Sequence, residues 1–205
     1  MKKLSTGLFL LLAATSLVLT GCGAKETATK TTVTNTTTVA KNTTVSETTV
    51  KPETKSAFPA TEEGAKSMLK EFAKPGADTA ALSKHLRPTK ADYEAVFDAE
   101  FASKAMALYD PAWEAEKMVL TTNDPARTEV ILYPSTSDDV KNWSGAAAKD
   151  FAGGWKQVAP HLKPGVKIYR FDFVEPGKNV GMVYEGLVNI NGNWRIFPKP
   201  WRAVS

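Results

Sequence analysis

Hydrophobic and polar positions divide the chain into three stretches with different patterns. Residues 8–19 form an apolar run that is interrupted only by one Thr and one Ser. The stretch that follows, up to residue 56, contains no aromatic residue, no Leu and no Ile, and it is dominated by Thr. In the rest of the chain, apolar residues recur with the periods of helices and strands. We therefore expect a signal over 1–21, a tether over 22–56 and one folded domain over 57–205.

The first half of the domain has the spacing of helices. Acidic residues after a Thr, followed by an apolar stripe, predict a helix over 65–72, and residues 78–86 predict a second, shorter one. A Thr-x-x-Asp sequence at 89–92 resembles a capping box. It precedes the best helical pattern of the chain, with apolar residues at i, i+3 and i+4 over 93–108. We expect this helix to end at Asp110-Pro111, which could cap another helical turn through Trp113 and Ala115.

The second half changes to the period of strands. Strand-like segments lie at 118–121, 129–133, 166–174, 180–190 and 193–197. A polar loop after residue 135 leads to a possible helix over 146–158, which Gly153-Gly154 would weaken.

The last two segments form a hairpin whose register can be predicted. Asn191-Gly192 is a strong signal for a two-residue type I′ turn, which pairs Ile190 with Asn193 and hence Gly186 with Phe197. Strict alternation then gives two sets of side chains. One face is expected to carry Met182, Tyr184, Val188, Ile190 and Phe197, and the other Glu185, Leu187, Asn189, Trp194 and Ile196.

Charged residues among these strands are the best ligand-binding candidates. Arg170 and Asp172 share a strand face, while aromatic residues take the opposite one. Antiparallel pairing would bring Glu185 close to both, with Trp194 as a wall of the pocket. The same charges would equally suit a cross-strand ion pair that faces water. If the segment over 146–158 or the C-terminal tail filled this face, both ligand hypotheses would fail, and a protein-interaction or structural role would remain.

Helices followed by a meander of strands predict an α+β domain, with N-terminal helices packed on a curved antiparallel sheet that ends in a β-hairpin. The element order and the closing Gly-x-Trp-Arg-Ile of 192–196 resemble nuclear-transport-factor-2-like and cystatin-like domains over about residues 60–198. This resemblance implies a concave sheet face, which in such folds binds small molecules or supports acid–base catalysis. The tail over 197–202 is similar to the endings of unassigned bacterial lipoproteins.

The N-terminal apolar run is typical of a signal peptide rather than of a membrane-spanning helix. It is too short to cross a bilayer, which takes about 20 apolar residues, and it ends in Leu19-Thr20-Gly21-Cys22. This tetrapeptide resembles the bacterial lipobox. The resemblance implies removal of 1–21 and attachment of diacylglycerol and a fatty acid such as palmitate at Cys22. The protein would then face the periplasm or the exterior, on the outer membrane if the organism is Gram-negative, since Gly23 is not Asp.

Composition narrows the chemistry of the domain. The chain has a net charge of +4, but residues from 57 onward hold nineteen Lys plus Arg and nineteen Asp plus Glu, so nucleic acid is not an expected partner. Cys22 is the single cysteine, which leaves the domain without disulfides or thiolate chemistry. The Thr-rich tether, with Thr-Thr-Val repeated four times, is too polar to build a core.

Catalytic motifs are weak. Ser67-x-x-Lys70 resembles part of the penicillin-binding signature without its companion motifs, and His85 and His161 lack metal-ligand spacing. We expect no catalytic residue, no metal and no cofactor. The leading hypothesis is a lipid-anchored envelope protein that binds a protein or a small ligand. A small acid–base enzyme and a passive structural component are the alternatives.

The lipobox generates one direct prediction. Cys22→Ala removes the only sulfur that could carry diacylglycerol, so the protein should move from the membrane pellet to the soluble fraction. Fractionation of cells that express the wild-type and variant full-length chains measures this. A variant that still sediments with membranes would contradict lipid anchoring.

Overall fold

The computed structural model describes residues 56–204, which form an α+β domain and confirm the predicted fold class. The predicted signal, the lipidation site Cys22 and the tether up to residue 55 lie outside the described residues. None of the helices in 56–204 is both long and apolar enough to cross a bilayer.

Helices make up most of the first half and the middle of the described domain. Their bounds are α1 Glu62–Phe72, α2 Thr79–Lys84, α3 Lys90–Val96, α4 Ala99–Glu114, α5 Ser137–Asn142, α6 Gly145–Asp150 and α7 Trp155–Val158. Side chains cap the first helices as the sequence predicts. Thr61 accepts from the Gly64 N–H at the start of α1, and Thr89 with Asp92 forms a complete capping box on α3.

Four strands form one antiparallel sheet in chain order. They are β1 Glu129–Thr136, β2 Lys167–Val174, β3 Gly181–Ile190 and β4 Asn193–Ile196. The closing hairpin has the predicted register, because Ile190 pairs with Asn193 across a turn whose two residues both have positive φ. The predicted strand over 118–121 is wrong. The Leu120 N–H donates to Ser83 Oγ instead (2.9 Å).

Two helical expectations are corrected. The predicted helix over 93–108 is two helices, because Phe97 is extended and Asp98 caps a new start by accepting from the Phe101 N–H (2.8 Å). The second helix does not end at Asp110-Pro111: the further turn expected through Trp113 and Ala115 is present up to Glu114, as a continuation of the same helix with Ala115 as its C-cap. Pro111 removes only one hydrogen bond there, and the buried side chain of Trp113 holds the last turn. The possible helix over 146–158 is broken into α6 and α7.

Gly186 carries a β-bulge that changes the face of every later residue in β3. Arg170 pairs with Glu185 and Tyr169 pairs with Leu187, so Gly186 has no partner on β2. Its φ is +90°, and a Cβ placed on it would lie 2.2 Å from the Phe197 carbonyl oxygen. Only glycine fits this backbone without strain.

The bulge corrects the predicted faces of the sheet. Leu187 joins Met182 and Tyr184 in one apolar cluster, whereas Val188 and Ile190 belong to a second cluster. We name the two sides by the helices that cover them. The α1 face carries Tyr169, Phe171, Phe173, Leu187, Trp194 and Ile196, and the α6 face carries Ile168, Arg170, Asp172, Glu185, Val188 and Ile190. Both faces are therefore covered by helices, and the sheet forms the middle layer.

A buried ion pair joins the helices to β4. Arg195 Nε donates to Asp92 Oδ2 (2.7 Å), and the same carboxylate oxygen accepts from the Thr89 N–H of the capping box (2.8 Å). Arg195 Nη1 donates to the His85 carbonyl at the end of α2 (3.0 Å). Breaking one partner of such a buried pair typically costs about 3–5 kcal/mol. The start of α3 and the end of α2 are thus held against the same strand.

The bulge can be tested with a matched pair of glycines. Gly186→Ala should lower the free energy of unfolding by about 3 kcal/mol or more, because the methyl group meets the Phe197 carbonyl in addition to the positive-φ strain. Gly177→Ala should cost only about 1 kcal/mol, because Gly177 has a φ of +73° but open space around it. Urea unfolding of both variants measures the difference. Equal losses would contradict the steric role of Gly186.

Candidate functional site

The charged residues that the sequence singles out do meet, on the α6 face. Arg170 donates from Nε to Asp172 Oδ1 (3.0 Å) and from Nη2 to Asp172 Oδ2 (2.7 Å). Its guanidinium lies 4.7 Å from the ring centre of Tyr133 on β1. Asp172 is 1% exposed, so this bidentate pair is an internal feature of the sheet.

Glu185 is engaged by the segment between α6 and α7. Its Oε1 accepts from the Ala152 N–H (2.8 Å), and its Oε2 accepts from Trp155 Nε1 (3.1 Å). Arg170 Nη1 also reaches this segment, at the Asp150 carbonyl. Burial raises the pKa of the Glu185 carboxyl, and the bond from Ala152 opposes that rise. The 150–155 segment therefore fills the face that would have been the pocket.

Trp194 does not belong to this group. The bulge at Gly186 places it on the α1 face, where its Nε1 donates to the Pro59 carbonyl (3.2 Å). Its ring packs edge-on against Tyr169 with centroids 5.8 Å apart. The expectation that Trp194 lines a pocket with Glu185 is therefore wrong. The four carboxylate oxygens of Asp172 and Glu185 are all hydrogen-bonded within the domain, which makes this cluster a structural network.

The α1 side of the domain contains an apolar cavity of about 410 Å³ that the sequence does not reveal. It lies between α1, α2 and the closing hairpin. Its apolar lining consists of Ala57, Phe58, Met68, Phe72, Leu82, Leu86 and Trp194, and its polar lining of Ser56, His85, Asn193 and Arg195. This volume is within the range of about 300–1,000 Å³ that is typical of small-molecule sites.

Local interactions position the residues that form the walls of the cavity. Met68 and Phe72 are four residues apart on α1 and so lie on one helix face. The Ser56 N–H donates to Asn193 Oδ1 (3.1 Å), which holds the loop that contains Phe58 against the closing hairpin. Asp78 caps α2 by accepting from the Ala81 N–H (2.9 Å), and this orients Leu82 toward the other walls.

The two histidines have different surroundings. His85 is exposed and lies at the rim of the cavity, and no hydrogen bond of its ring is observed within residues 56–204. His161 Nδ1 lies 2.8 Å from Asp98 Oδ2, and its ring stacks on Phe101. Asp98 is already the cap of α4, so this pair fixes a helix start. Within the described part of the chain, no group of three His, Cys, Asp or Glu residues is arranged to hold a metal ion.

Three tryptophans, Trp143, Trp155 and Trp201, contribute to the packing of the α6 face. Trp155 is buried, whereas Trp143 and Trp201 are partly buried against the cluster of the α6 face.

Comparison with known proteins finds no match to a family model, to a curated protein or to a solved structure.

The structural role of the charged network is testable. Glu185→Ala leaves the Trp155 indole N–H without its partner, and we expect a loss of about 1–3 kcal/mol in the free energy of unfolding. Glu175→Ala, in an exposed turn of the same hairpin, should change it by less than about 0.5 kcal/mol. Chemical denaturation measures both. A Glu185→Ala variant that is as stable as the wild-type protein would contradict the structural role of Glu185.

Proposed function

We propose that this chain is a lipid-anchored envelope protein whose domain binds an apolar small molecule in the cavity between α1, α2 and the closing hairpin. The observation that carries the proposal is the cavity itself. It has a ligand-sized volume of about 410 Å³, a mostly apolar lining and a few polar groups.

The apolar lining favours a ligand over a purely structural void. Large unfilled volumes next to buried Met68, Phe72 and Trp194 cost packing energy, because their surfaces lose contacts on one side. A bound apolar molecule would restore those contacts and would gain about 25 cal/mol for each Å² removed from water.

The acid–base alternative has less support. It requires a carboxylate that is free to exchange a proton with a substrate, whereas both oxygens of Asp172 and both of Glu185 accept bonds from the protein. An enzyme built on these residues would have to displace the 150–155 segment first. The cavity needs no such rearrangement.

The anchor would set where this binding occurs. If Cys22 is lipidated, the Thr-rich tether of residues 24–56 joins the lipid to the domain. Fully extended, such a segment reaches roughly 110 Å, and as a coil it spans roughly 30 Å. The domain would thus sample the space next to the membrane without being pressed against it.

A neutral fluorescent probe tests the cavity. The chain from residue 22 onward, with Cys22→Ala, contains every described residue and should enhance the fluorescence of N-phenyl-1-naphthylamine. Leu82→Trp places a larger ring at a partly buried position of the lining and should weaken probe binding about 10-fold or more. Leu108→Trp is the matched control, because Leu108 is exposed on α4 and does not line the cavity.

Circular dichroism and urea unfolding establish that both Trp variants are folded. Binding that is abolished in Leu82→Trp and retained in Leu108→Trp supports the cavity. An absence of binding in the wild-type chain, or equal binding in all three proteins, would contradict the proposed function and favour a passive structural component.

A further inference from the structure

The first strand of the sheet has one open edge. β1 lies at the end of the strand order, so β2 pairs with only one of its two sides. Pro134 indicates which residues of β1 face the open side, because a proline in a paired strand points its nitrogen away from the partner strand. Backbone groups alternate in direction along a strand, so those of Val130 and Leu132 face the same side as Pro134.

The pairing of the other strands gives the same orientation. Ile190 faces β4 across the two-residue turn, and alternation therefore directs the backbone of Leu187 toward β2. Leu187 pairs with Tyr169, so the backbone groups of Tyr169 face β3 and not β1. Pro134 is the β1 partner of Tyr169, and its own backbone groups consequently face away from the sheet.

Five backbone groups on this edge make no hydrogen bond within residues 56–204. They are the N–H groups of Val130 and Leu132 and the carbonyl groups of Val130, Leu132 and Pro134. A row of unpaired donors and acceptors on an edge strand is a template for pairing with a further strand.

The side chains of the edge favour such pairing. Edge strands are commonly protected by charged residues, but residues 130–135 contain no charged side chain. Ile131 and Tyr133 are partly exposed on the α6 face, and Leu132 is partly buried against the cluster of the α1 face. The edge therefore offers apolar contacts on both sides of its backbone.

The edge is complementary to itself. In an antiparallel pair of two copies that is centred on Leu132, the two Leu132 residues exchange two hydrogen bonds. Each Val130 N–H then donates to the Pro134 carbonyl of the other copy, so every outward N–H has an acceptor. The missing N–H of Pro134 leaves only the Val130 carbonyl unpaired. The same register places Ile131 beside Tyr133 of the other copy.

We infer that two copies of this chain pair through β1, antiparallel about Leu132, and join their four-stranded sheets into one continuous sheet. The inference goes beyond the proposed function and does not depend on it. No β1 residue lines the apolar cavity, which remains accessible in both copies.

The segment that precedes the domain is a less suitable partner for this edge. Ser56 is bonded to Asn193 at β4, which is the opposite edge of the sheet. A strand from residues 24–55 would have to pass over one face of the sheet to reach β1, and helices cover both faces. A second copy approaches the open edge directly.

Charges at residue 132 test the pairing, because this residue lies opposite itself in the dimer. The protein is the chain from residue 22 onward with Cys22→Ala, and sedimentation velocity measures its dimerisation. We expect a concentration-dependent dimer, with a Kd that Leu132→Lys or Leu132→Glu each raises about 10-fold or more through like-charge repulsion. An equimolar mixture of the two variants should restore dimerisation, because it pairs Lys with Glu.

Met182→Lys is the matched control. Met182 is partly buried against the same apolar cluster as Leu132, but it lies on β3 and not on the open edge. Its Kd should equal that of the wild-type chain, and circular dichroism establishes that all variants are folded. A wild-type chain that is monomeric up to about 0.5 mM would overturn the inference. Equal Kd values for Leu132→Lys and Met182→Lys, or a mixture that fails to dimerise, would also overturn it.

Discussion

One additional residue in the third strand determines which side chains of this domain meet. Because Gly186 has no partner on β2, the residues after it change sides relative to the residues before it. Leu187 consequently packs below α1, and Val188 packs below the α6–α7 segment. The two apolar clusters, the charged network and the wall of the cavity all depend on this change of side. A Cβ at residue 186 would collide with the Phe197 carbonyl, so the bulge and the close approach of β4 require the same glycine.

The domain contains two kinds of polar group. On the α6 face, Arg170, Asp172 and Glu185 lie under a helical segment that satisfies them, and they rigidify the layer without offering an open site. In contrast, His85 and Arg195 are polar residues in the lining of the apolar cavity. Charged residues with similar sequence surroundings therefore have different environments, because helices cover some of them and leave others at the cavity.

Local signals in the sequence predict most of the elements and little of the site. The capping box of Thr89 and Asp92 and the Asn191-Gly192 turn depend on neighbouring residues alone, and both are present as predicted. The break between α3 and α4 combines a local cap by Asp98 with a tertiary contact that the sequence does not indicate, because the Asp98 N–H donates to the His161 carbonyl. The predicted alternation of side chains between the two sheet faces is wrong after Gly186, because a glycine is the only sign of a bulge in the sequence. The cavity had no signal, because it results from the space that Phe58, Leu82 and Trp194 leave between them.

The hydrogen bond from Ser56 to Asn193 has a mechanical consequence. The chain enters the described domain at Ser56, which is held at the tip of the closing hairpin and at the edge of the cavity. Any tension along the N-terminal segment therefore acts first on Asn193 and its neighbour Trp194, before it reaches the centre of the sheet. Ser56 and Asn193 both line the cavity, so a force applied to the chain at Ser56 would be transmitted directly to two residues of the cavity lining.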